Sequence, residues 1–128
     1  MGVLNTQLIS ATTLAAGTNI PVGNVVHKSS CNLNASGNTW RIDGAGYYRI
    51  TASVTVEPAA VAAMPVTLND NGVTIAQASA TPAVADDSVN VSLVAVIYNK
   101  CNCQEDAITL TLGAAGTVTE SDVVIERI

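Results

Sequence analysis

Residues 47–57 constrain the fold of this chain more than any other segment. Tyr48, Ile50, Ala52, Val54 and Val56 occupy every second position, and Tyr47, Arg49, Thr51, Ser53, Thr55 and Glu57 fill the places between. A helix would smear those apolar residues around its circumference, whereas an extended chain puts them all on one face. The spacing predicts a long strand with one buried side and one polar side. Pro58 has no amide hydrogen for a ladder and stops it.

The same period recurs along the chain. Met64, Val66 and Leu68 lead into Asn69-Asp70-Asn71-Gly72, and Val73 and Ile75 begin a return strand that runs to about Ala80. Asn-Gly at 71–72 suits a tight hairpin, because both turn positions take positive φ. Residues 81–87 read as a loop, and residues 88–98 predict a second long strand. Val89, Val91, Leu93, Ala95 and Ile97 point inward there, while Val94, Val96 and Tyr98 make its far half apolar on both faces. Ile108, Leu110 and Leu112 predict another half-buried strand, Gly113 and Gly116 a turn, and residues 123–128 the last strand. Upstream, Pro21 and Gly23 interrupt residues 19–27, which suits a sheet edge. Two short strands flank the turn at 34–38.

Residues 1–18 fit either a short helix or an extended arm. The expected organisation is therefore an N-terminal arm or attachment segment at 1–18, followed by one domain at 19–128. With about eight strands, turns roughly every 8–12 residues and no long helix, the domain is expected to be an antiparallel sandwich or barrel.

Composition fits that reading. The chain of 128 residues is 48% hydrophobic yet has no Phe, one Trp and three Tyr, so Val, Ala, Ile and Leu carry the apolar content. β-Branched side chains lose little rotamer freedom in strands. Only 12% of residues are charged, about half the usual share for a soluble domain. A surface so poor in charge is one that can be buried against another subunit. The net charge is -5, with five Lys and Arg, which leaves no basic patch to neutralise phosphates, and nucleic-acid binding is not expected. No apolar stretch is long enough to cross a bilayer as a helix. The opening residues lack a basic segment and carry Asn5, Thr6, Gln7 and Ser10, so they do not read as a secretory signal. Synthesis in the host cytoplasm is the corresponding expectation.

The order of segments resembles the jelly-roll family of tumour necrosis factor (TNF) and the globular head of complement C1q. The likeness rests on Gly46-Tyr47-Tyr48-Arg49-Ile50-Thr51-Ala52-Ser53-Val54-Thr55-Val56 and on the hairpin Val66-Thr67-Leu68-Asn69-Asp70-Asn71-Gly72-Val73. The strand at 88–98 and the terminal segment 121–128 extend it to roughly residues 19–128. The resemblance implies an antiparallel jelly-roll sandwich that forms compact trimers. Small trimeric domains of bacteriophage head fibre or decoration proteins are similar, as are the tips of bacterial exosporium filaments. The chain departs from the family pattern in having no Phe and no Phe-Gly pair before its final apolar residues, so a receptor-binding cytokine role is not carried over. In such a trimer Tyr47, Val94, Val96 and Tyr98 are the expected interface.

Residues able to carry chemistry are few. His27 is the single histidine, and nothing around it resembles a nucleophile elbow, so no catalytic residue is assigned. Cys31, Cys101 and Cys103 allow three readings: free thiols, a disulfide from Cys31 to one of the pair, or a tetrahedral zinc site with His27. Cys-X-Cys is tighter than usual zinc spacing, and no metal or cofactor is expected. Asp86-Asp87 offers loop carboxylates without the spaced acidic ladder that calcium needs. Trp40, Tyr47 and Tyr48 are expected as core or interface filler.

The sequence thus favours a non-enzymatic structural or assembly protein, a homotrimer on a virion surface. A capsid or appendage protein could be held through the N-terminal arm. The alternative is a receptor- or glycan-binding module of a phage or bacterial appendage, located on a bacterial cell or spore surface.

Overall fold

Alternation becomes sheet wherever the chain supplies it. The computed structural model describes residues 2–84, 87–101 and 104–128, and every regular element among them is a strand. The first sheet runs β10 (Val89–Asn99), β7 (Gly46–Pro58), β12 (Gly116–Arg127), β1 (Val3–Leu8), β4 (Asn24–Lys28), with β2 (Thr12–Leu14) added to β12. The second runs β5 (Leu33–Ser36), β6 (Thr39–Ile42), β11 (Asp106–Leu112), β8 (Met64–Asp70), β9 (Val73–Ala80), with β3 (Thr18–Asn19) on β11. All pairings are antiparallel.

From β6 onward the chain changes sheet at every connection except the β8–β9 hairpin. That crossing pattern is the jelly-roll sandwich expected from the sequence. Its hairpin turn is built by Asn71 at φ 51° and Gly72 at φ 83°, the two positive values that the Asn-Gly step supplies at low steric cost.

The inward parity of the long strands forms one core. Tyr48, Ile50, Ala52, Val54 and Val56 of β7 meet Met64, Val66 and Leu68 of β8 and Ile108, Leu110 and Leu112 of β11 in a single buried cluster. Trp40 on β6 is fully buried, and its indole Nε1 donates to Thr6 Oγ1 on β1 at 2.8 Å. The bond ties the second sheet to the first and satisfies the one polar atom of the ring.

The N-terminal segment departs from expectation. Residues 3–8 are not an arm beside the domain. They form β1, which pairs with β12 from Val3↔Glu126 to Leu8↔Ser121 and with β4 on its other side. Leu4, Thr6 and Leu8 point into the core, so the boundary expected after residue 18 falls within one continuous sandwich. The last strand also starts earlier than expected, at Gly116, because a register shift between Val118 and Glu120 breaks its alternation.

Candidate functional site

The outer face of the first sheet carries the candidate site. On β10 the residues of even number point away from the core, and Val94, Val96 and Tyr98 are 61%, 58% and 54% exposed. Antiparallel register sets β7 beside them: Tyr98 faces Tyr47, Val96 faces Arg49 and Val94 faces Thr51. Tyr47 is 56% exposed, and its ring packs on that of Tyr98 with centroids 4.6 Å apart and planes tilted by 33°. The sequence placed these four residues on one surface, and the structure brings them together.

The rest of the face has a different character. Arg49 makes an ion pair with Glu126 on β12, closing one flank of the apolar cluster. Further along the strands, Asn90 Nδ2 donates to Ser53 Oγ at 3.0 Å and to Thr55 Oγ1 at 3.2 Å, and Ser92 Oγ donates to Asn90 Oδ1 at 3.0 Å. One half of the face is therefore apolar and unsaturated, and the other half is polar with bonds among its own side chains. An exposed apolar cluster with a polar border is how association surfaces are commonly built.

The remaining sequence candidates do not converge. His27 lies on β4, exposed like every residue of that strand. Cys31 is an exposed free thiol, whereas Cys101 is disulfide-bonded, so the bridge allowed between these two is not formed. Cys103 and Asp86 lie outside the described residues. Among the described residues no three His, Cys, Asp or Glu side chains sit close enough together to hold a metal ion. Trp40 and Tyr48 are core residues, and the Tyr48 hydroxyl donates to Gly44 O at 2.8 Å. Burial pushes the Tyr48 phenol up, against the opposing pull of Arg127.

The loops beyond Tyr98 are organised by a residue the sequence did not single out. Asn99 is fully buried. Its Nδ2 donates to Ile42 O at 3.3 Å and Gln104 O at 2.9 Å, and its Oδ1 accepts from Cys101 N at 3.2 Å. Asn99→Ala strands those groups, at about 1–3 kcal/mol for an unsatisfied buried partner. Urea denaturation is expected to show that loss with an unchanged m-value.

No family model and no curated protein matches this sequence. Solved structures do. Murine APRIL at pH 5.0 superposes with a TM-score of 0.78 at 16% identity, covering 99% of this chain and 98% of that one. The globular domain of zebrafish complement 1qA gives 0.76 at 9% identity, covering 100% and 98%. The PRD1 vertex protein P5 gives 0.67 at 11% identity, covering 99% and 96%. The fold is a TNF/C1q-like jelly roll. In these terms the jelly roll takes in essentially the whole chain, β1 included, and not only the part after residue 18.

Proposed function

We propose that this chain is a non-enzymatic assembly module that forms a homotrimer through the outer face of its first sheet. The observation that carries the reading is the cluster of Tyr47, Val94, Val96 and Tyr98, more than half exposed in the single chain. Closed cyclic association buries such a face without leaving sites for runaway polymerisation. Threefold closure is taken from the TNF/C1q-like fold, since alternation alone does not choose the number of subunits. Light scattering coupled to size exclusion is expected to give about three times 13.0 kDa. A mass near one subunit at micromolar concentration overturns the proposal.

A place on a virion surface is the finer form of the proposal. It draws support from the likeness to a vertex protein. Quantitative mass spectrometry of purified particles should find the chain in multiples of three copies, and its absence from them removes this part while leaving the trimer standing. Attachment through an N-terminal arm is not part of the proposal, because β1 is held within the sheet. A receptor- or glycan-binding module is the alternative, and specific retention on a glycan array would favour it.

A further inference from the structure

An acidic pair, one residue buried and the other half-buried, lies at one end of the sandwich, apart from the proposed assembly face. Asp106 opens β11 in the inward parity of Ile108, Leu110 and Leu112, and it is only 3% exposed. Asp70 closes β8 in the inward parity of Met64, Val66 and Leu68. The ladder sets Asp70 opposite Ile108, two residues from Asp106 in the same inward parity. Asp70 Oδ1 and Asp106 Oδ2 are both buried, and among the described residues neither has a hydrogen-bond partner. Two carboxylates cannot bond to each other, because neither carries a hydrogen. A single proton on either one supplies the missing donor.

We propose that Asp70 and Asp106 share one proton, and that this proton clamps the β8–β9 turn onto the start of β11. The other parts of the clamp are visible around it. Asn71 N donates to Ala107 O at 2.9 Å, Ala107 N donates to Asn71 Oδ1 at 2.9 Å, and Asn71 Nδ2 donates to Glu105 O at 3.3 Å. Without the proton, two like charges occupy one buried space, and the strand ends must part to let water in. The surrounding charges give little relief. Arg41 on β6 is bonded to Glu105 at 2.6 Å. Asp43, in the connection from β6 to β7, is itself pushed up by burial and by Glu105. Tyr48 on β7 feels Asp106 as a repulsion, and Arg127 on β12 acts on Tyr48. Among the described residues no cation forms an ion pair with Asp70 or Asp106. Burial, then the bond and repulsion from Asp106, raise Asp70 from 3.8 to about 7.

The sign of the linkage follows from that direction. The folded chain holds a proton that the unfolded chain has released, so stability falls as pH rises from about 4 to about 7 and levels off above. The test compares unfolding of the full chain with Asp70→Asn across that range, at one protein concentration. Relative to the variant, the wild-type unfolding constant is expected to rise by up to about tenfold per pH unit, and the variant is expected to be the more stable at pH 8. Carboxyl carbon resonances of the wild type give a second reading that needs no variant. That of Asp70 should titrate near neutrality. Parallel pH curves, or an Asp70 carboxyl titrating near 4, overturn the proposal. Calcium or magnesium raising the wild-type midpoint at pH 8, but not that of Asp70→Asn, also overturns it, by showing a cation in place of the proton.

Discussion

Val94→Asp is expected to convert the proposed trimer into folded single chains. Position 94 is chosen over 96 because Val96 faces Arg49, whose guanidinium could partner a new carboxylate. Val94 faces Thr51, which carries no charge. In the isolated subunit the side chain is already more than half exposed, so the change should alter subunit stability by no more than about 0.5 kcal/mol. In the assembly the balance is different. Burying a valine contributes about 1.5–3 kcal/mol, and an unpaired carboxylate in the same place costs several kcal/mol more. Closed symmetry repeats that loss at each interface. Together these weaken association on the order of a thousandfold or more. The mass should fall to about 13.0 kDa while the far-ultraviolet spectrum of strand is kept. Wild-type mass in this variant would mean that the assembly uses another surface.

How much of this was legible depends on which residue occupies the inward parity. Where the inward places are all apolar, as at 48–56, 64–68 and 108–112, the strand and its buried face follow directly from the sequence. β1 has the same geometry with Thr6 between Leu4 and Leu8. A polar residue there hides the period, and its reason is Trp40, which lies far along the chain. β12 is obscured twice, by its bulge and by buried Ser121. The exposed apolar cluster was readable because β10 is apolar on both sides, which a lone sandwich does not require. Asp70 and Asp106 were also within reach. Each continues the inward parity of its strand, so alternation already aimed two carboxyls at the interior. Asp70 reads first as a turn former beside Asn71-Gly72, and that local reading masked its parity. Their proximity needed the register that sets Ile108 beside Asp70.

Trp40→Ala is expected to cause the largest loss of stability from a single core substitution. With no Phe in the chain, the indole is the largest fully buried side chain. It sits where β6 pairs with Ala35 of β5 on one side and Ile108 of β11 on the other. Emptying that volume costs about 3–5 kcal/mol, because packed neighbours relax only partly. Thr6 Oγ1, 1% exposed as a residue, then loses its donor, adding about 1–3 kcal/mol. Against a domain stability of about 5–15 kcal/mol, the sum brings the fold close to its limit. A fall in Tm of roughly 15–30 °C is expected. Because association would couple to unfolding, the comparison belongs in the Val94→Asp background at one protein concentration. Circular dichroism is the suitable probe, since Trp40 is the chain's single tryptophan and its fluorescence leaves with it. Trp40→Phe separates the two contributions: it keeps most of the ring volume and removes the bond to Thr6. If the bond matters, Trp40→Phe should cost less in a Thr6→Val chain than in the wild type, by the coupling that a double-mutant cycle reads. Equal costs in the two backgrounds would leave packing alone as the role of Trp40, and a Tm nearly unchanged in Trp40→Ala would show that the two sheets are not joined through it.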